Sequence, residues 1–325
     1  MLRLLVALAA LAAGCSTTAP PPTESARLLV LNKDAATATV FDLATGEATT
    51  TMPTGTGPHE AVVLADGRTA VVTDYGQQVP GSSLTILDLD AGERLRTLDL
   101  GTLTRPHGIV ALGPGRVLVT SETTRQVAAV DIATGEVAFT APTDGDGSHM
   151  VVVAPGGGTA YTANISSGDV SKIDLASREV TAQAAIGAVA EAIAISPDGA
   201  EVWASSQQTG AIVALNAGTL EERARTTVGG RPIRLTFTPD GTRMLVTSVA
   251  SSALTVLDAE TLEVVGTVEL GLGASPVGTV VSADGTRAFV SLLQLDRVAE
   301  VDLATFEIVR QFETGRVPDG LALAP

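Results

Sequence analysis

The chain has 325 residues, with 36 Asp+Glu against 20 Lys+Arg and a formal net charge of −16. That acidic balance, with only two lysines (Lys33 and Lys172) and Arg carrying the positive charge, repels a phosphate backbone, and 3% aromatics weaken a stacking platform for single strands, which argues against nucleic acid as a partner. One cysteine excludes an internal disulfide framework and a Cys-based zinc cage, while 45% apolar residues suffice for a core.

Met1-Leu2-Arg3 is a short positive start, and Leu4 to Ala13 is an uncharged apolar run of ten residues. That run is too short to span a bilayer and reads as the core of a signal peptide. It ends Leu11-Ala12-Ala13-Gly14-Cys15, and small residues before the only cysteine resemble a bacterial lipobox. The resemblance implies cleavage after Gly14 and lipidation of Cys15; the competing reading is plain secretion with an incidental cysteine. Ser16 in place of Asp implies, on the same resemblance, the outer membrane of a Gram-negative cell, with the protein in the periplasm or at the cell surface. Ser16 to Ser25 (STTAPPPTES) is a Pro/Thr-rich tether with nothing to bury. The expected organisation is a signal peptide over 1–14, a lipidated Cys and tether over 15–26, and one folded domain over 27–325.

That domain is one motif repeated. A hydrophobic strand ending in Asp, then a turn, recurs as FDLATGE, LDLDAGE, VDIATGE, IDLASRE, LNAGTLE, LDAETLE and VDLATFE. The markers Asp42, Asp88, Asp131, Asp174, Asn216, Asp258 and Asp302 are 46, 43, 43, 42, 42 and 44 residues apart. A feature required once per repeat is structural, so this series predicts turn capping. One unit shows the pattern: AIAIS (192–196), the turn Pro197-Asp198-Gly199, EVWASS (201–206), AIVALNA (211–217), then an alternating strand near Glu222–Val228. Asp66-Gly67, Asp240-Gly241 and Asp284-Gly285 repeat the turn. Four short strands per unit of about 43 residues, with no sustained 3.6-residue period, predict an all-β, seven-bladed β-propeller with four-stranded blades. The chain enters at Arg27–Leu31 on a second-strand pattern and stops at Gly320–Ala324 on a first-strand pattern. The C-terminal strand is therefore expected to complete the N-terminal blade, closing the ring and removing free sheet edges.

The pattern P-x-x-x-x-x-S-P-D-G, then a Y-V-T-N-like strand, then V-S-V-I-D-x-A-T resembles the YVTN-type seven-bladed β-propeller family. The Y-V-T-N slot is Tyr161-Thr162-Ala163-Asn164, Val71-Val72-Thr73-Asp74 and Leu245-Val246-Thr247-Ser248 here. The resemblance spans residues 27–325 and implies the fold; such propellers serve many functions.

Aligned across units, the innermost strands open with Pro58-His59-Glu60, Pro106-His107-Gly108, Ser148-His149-Met150, Ala190-Glu191-Ala192, Pro232-Ile233-Arg234, Pro276-Val277-Gly278 and Pro318-Asp319-Gly320. All three histidines share one register on successive blades, followed by Glu191, with Asp319 on the blade beside that of His59. Equivalent residues of innermost strands ring the central channel, so Asp319, His59, His107, His149 and Glu191 are expected to form an arc at one channel mouth. His59, His107, His149 and Glu191 are the predicted metal ligands, since imidazoles with a carboxylate suit one transition metal ion (Zn, Cu or Fe). Glu60, Arg234 and Asp319 are the predicted ligand-binding residues, although strict strand alternation would turn one of His59 and Glu60 away from the channel. The competing readings are that these histidines cap backbone groups, or act directly as acid and base. Arg105, Arg231 and Arg316 lie near the same strand starts, and the loop Tyr75–Ser83 (YGQQVPGSS) is longer than its equivalents.

No nucleophile elbow, zinc-protease motif or phosphate loop is present, since Gly145-Asp146-Gly147 and Gly156-Gly157-Gly158 are turns without a following helix. The leading expectation is a monomeric cell-envelope lipoprotein whose propeller binds a small molecule or protein, with a ligand or metal site at the channel mouth and only a lipid anchor in the membrane. The alternative is an enzyme: some seven-bladed propellers similar to this chain are lactonases or lactonising enzymes, for which His149, Glu191 and Arg234 could supply acid–base and cationic groups. A purely structural surface protein is the third expectation.

Overall fold

The computed structural model describes residues 26–324; the expected signal peptide, the lipidation at Cys15 and the tether up to residue 25 lie outside the described residues. Among these, twenty-eight strands, β1 to β28 in chain order, form seven antiparallel four-stranded sheets. Blade 1 has the order β28-β1-β2-β3, from β1 (Arg27–Asn32), β2 (Thr37–Asp42), β3 (Ala48–Pro53) and β28 (Pro318–Ala324). Arg27 pairs with Ala324 and Val30 with Leu321, so the ring is closed by the C-terminal strand as the repeat arithmetic predicts. Blades 2 to 7 take four consecutive strands each, and their innermost strands are β4 (Pro58–Val63), β8 (Pro106–Ala111), β12 (Ser148–Val153), β16 (Ala190–Ile195), β20 (Pro232–Phe237) and β24 (Pro276–Val281).

The residue types follow the layer each strand occupies. The second and third strands of a blade are covered on both faces by neighbouring blades, and they are continuous apolar runs such as LLVL in β1 and IVAL in β18 (Ala211–Asn216). Outer strands have one free face and alternate, as in β15 (Glu179–Ala185). Aliphatic side chains fill the wedges between blades: Leu29, Leu31, Ala38 and Val40 of blade 1 pack with Ala70, Val72 and Leu87 of blade 2. The single tryptophan, Trp203, is fully buried and donates its indole N–H to Glu201 Oε2 at 2.8 Å.

Two local devices recur in every blade. Each marker Asp or Asn accepts backbone N–H groups two and three residues on, from Ala44 and Thr45 at Asp42 through to Ala304 and Thr305 at Asp302, so the series caps turns as expected. At the opposite end of the blades, the residue just ahead of each innermost strand is left-handed: Gly57, Arg105, Gly147, Val189, Arg231, Ser275 and Val317 have φ between 48° and 71°. A β-branched residue rarely accepts that conformation, so Val189 and Val317 there mark a turn the fold imposes.

Candidate metal centre

Each innermost strand opens with a register shift against its neighbour, between Pro58 and Ala61, Pro106 and Ile109, Ser148 and Met150, Ala190 and Ile193, and Pro232 and Arg234. A bulge breaks the two-residue alternation, so consecutive residues can both face the axis. Strict alternation would have turned one of His59 and Glu60 away; with the bulge, both join the channel-mouth cluster.

The arc forms in the expected order. His59 Nδ1 lies 2.5 Å from Asp319 Oδ2, and the His59 ring meets His107 edge-on at a centroid distance of 4.1 Å. His107 lies against His149 at 3.6 Å, and His149 Nε2 is 3.1 Å from Glu191 Oε1. One residue deeper, Arg234 of blade 6 pairs with Glu60 of blade 2 and reaches Met150 Sδ at 3.4 Å, an ion pair that crosses the channel. The corresponding residues Gly108, Ala192, Gly278 and Gly320 have little or no side chain, which leaves the space the pair occupies.

Sequence reasoning missed a second ring. The residue after the Y-V-T-N-like stretch of each blade's second strand is Lys33, Tyr75, Glu122, Ile165, Gln207, Val249 or Leu293, at spacings of 42, 47, 43, 42, 42 and 44. Four of these meet the arc. Lys33 Nζ donates to Asp319 Oδ2 at 2.9 Å and lies 3.2 Å from His59 Nδ1. Glu122 Oε1 is 2.5 Å from His149 Nδ1, and Tyr75 donates its hydroxyl to Glu122 Oε2 at 2.7 Å. Gln207 donates to Glu191 Oε2 at 3.1 Å and accepts from Arg231 Nη2 at 2.7 Å. Arg105 stacks on the Tyr75 ring at 4.7 Å, whereas Arg316 turns outward to Asp34. The repeat arithmetic that exposed the histidines would have exposed this ring; its mixed residue types hid it.

The electrostatics divide the imidazoles. Burial, reinforced by His149, His59, Arg234 and Lys33, holds the His107 pKa well below its ordinary range, so His107 is neutral. Burial opposes charge at His149 too, but its hydrogen bonds to Glu122 and Glu191 prevail and push its pKa up to about 9. Burial likewise opposes charge on Glu122, Glu191 and Asp319. His149 outweighs it for the two glutamates, and His59 with Lys33 outweighs it for Asp319, so all three stay well ionised.

His107 Nδ1 is buried without a hydrogen-bond partner. An unpartnered buried nitrogen is costly unless something else occupies it. His107, Glu122 and His149 each offer a donor atom, all within 4.8 Å of one another. Ligands bonded at about 2.1 Å around a tetrahedral ion stand roughly 3.4 Å apart, so the trio would hold one ion after small shifts, His107 closing in and the 2.5 Å contact of His149 Nδ1 with Glu122 Oε1 opening. The donor set, two imidazoles and a carboxylate with a second carboxylate adjoining, is one that borderline transition metals take.

The chain is thus a seven-bladed β-propeller with a buried His/His/Glu cluster at one channel mouth. Two solved structures share the fold. Hydrazine synthase of Kuenenia stuttgartiensis has a TM-score of 0.72 at 17% identity, over 91% of this chain and 99% of that one. A functionally unknown protein from Desulfotomaculum acetoxidans DSM 771 has a TM-score of 0.78 at 14% identity, over 92% and 99%. At such identities the likeness is one of fold. No protein-family model and no curated protein matches the chain.

Proposed function

We propose that this chain is a cell-envelope lipoprotein of the YVTN-type propeller kind, tethered through Cys15, whose channel mouth binds one transition metal ion. The ligands are His107, His149 and Glu122, with Glu191 and His59 adjoining. The observation that carries the reading is the partnerless, neutral, buried His107 Nδ1 beside a carboxylate–imidazole pair. A divalent ion would take the place of the proton that His149 shares with Glu122, because metal binding requires a deprotonated imidazole. Zn, Cu and Fe all suit such ligands. The lactonase reading needs a cation free to receive a carboxylate, and Arg234, its candidate, is engaged by Glu60.

The test is elemental analysis of the chain purified without a His tag. We expect about one equivalent of transition metal per chain, and loss of nearly all of it in the double variant His107→Ala/His149→Ala. Metal content unchanged in the double variant, or an empty wild-type protein that takes up neither Zn²⁺ nor Cu²⁺, would overturn the reading.

A further inference from the structure

The acidic and imidazole groups at the channel mouth offer two ligand sets. His107, Glu122 and His149 form the trio that fits an ion. His59 and Asp319 form another ligand pair, with Nδ1 and Oδ2 at 2.5 Å, and the Lys33 ammonium sits on both of those atoms. We propose that Lys33 limits the centre to a single metal ion by filling, with its own charge, the second cation position that His59 and Asp319 offer. The inference rests on the metal reading above and concerns how many ions the site takes.

Three observations carry it. Lys33 Nζ is 2.9 Å from Asp319 Oδ2 and 3.2 Å from His59 Nδ1, the place a metal bound by that pair would occupy. His59 and His107 lie in contact at 4.1 Å between ring centroids, so the His59–Asp319 pair adjoins the trio directly. The charges also close. The four carboxylates Asp319, Glu60, Glu122 and Glu191 face two cations, Lys33 and Arg234, so one divalent ion balances these groups. A second divalent ion beside Lys33 would leave two uncompensated positive charges around the buried Asp319, a costly arrangement. Without Lys33, the cluster loaded with one ion carries a net negative charge and an open ligand pair.

The experiment compares the full-length wild type with Lys33→Ala and Lys33→Arg, each equilibrated with Cu²⁺ and desalted. Metal is counted by elemental analysis, and spin coupling is read by electron paramagnetic resonance. We expect about one copper per chain in the wild type and in Lys33→Arg, and about two in Lys33→Ala, with the coupled signal of neighbouring ions. One copper in both wild type and Lys33→Ala would overturn the inference and leave the metal reading standing. No copper in the wild type would sink the metal reading itself. Lys33→Met keeps the aliphatic stem and removes the charge; if Lys33→Ala does not fold, Lys33→Met is read by the same two outcomes.

Discussion

Asp74 stands where blades 1 and 4 carry Asn32 and Asn164, the last position of the Y-V-T-N-like strand, and each of the three packs against a glycine, Gly55, Gly315 and Gly145 respectively. Burial raises the Asp74 pKa to about 6 from 3.8, against hydrogen bonds from Ser83, Thr85 and the Gly55 N–H. The folded protein therefore binds this proton more tightly than the unfolded chain does. The stabilising contribution is full below about pH 4 and is lost as pH rises through about 6, at a cost on the order of 2–3 kcal/mol once ionised. Asp74→Asn, a residue that position already accepts in two other blades, should raise the melting temperature at pH 8 and change it little at pH 4.5. An equal shift at both pH values would refute the argument. At this scale the sequence was legible where residue type is distinctive: three histidines in one register announce themselves. Glu122, Tyr75 and Lys33 occupy an equally regular register, but three different residue types carry no common signal until the structure puts them against the arc.

The strands themselves were legible because each layer of a blade has its own pattern, apolar runs in the middle and alternation outside. The bulges at the start of the innermost strands were not, since a register shift leaves no trace in residue type. They decide which residues reach the channel, and glycine makes the associated close approach feasible. A Cβ on Gly108 would lie 2.8 Å from His149 O, Met150 Cα and Val151 N, all backbone atoms of the next blade. Backbone cannot swing aside as a flexible side chain can, so blades 3 and 4 would have to separate. Gly108→Ala should destabilise the fold by about 1–3 kcal/mol and, by parting His107 from His149, weaken metal retention. Gly229→Ala is the matched control, because no atom lies within 4 Å of its Cβ position. If thermal melts of the two variants coincide, the packing argument is wrong.

The whole ring was the most legible feature, because seven markers spaced 42–46 residues apart and split ends admit little except a closed propeller. Its two faces differ. The mouth with the histidines lies where the innermost strands begin, at Pro58, Pro106 and Ser148, whereas Arg27 pairs with Ala324 at the strands' other end. A lipid on Cys15 would therefore hold the propeller by the face opposite the metal centre. A six-residue strand is roughly 20 Å long, so the two faces stand about that far apart. The far face should then sit close to the bilayer and the metal mouth a strand's height farther out, open to the surrounding solution. Fluorophores on Ala200→Cys, in the turn ahead of β17 (Glu201–Ser206), and on Leu272→Cys, a fully exposed residue ahead of β24, report on the two faces. In vesicles with headgroup quenchers, the Ala200 label should be quenched more strongly than the Leu272 label. Equal quenching would reject the orientation, and a protein that never associates with the vesicles would reject the anchor. Because metal loading changes neither the tether nor the far face, the difference should persist after the ion is chelated. On the proposed anchor, the centre would face a soluble partner or small ligand and be turned away from the lipid.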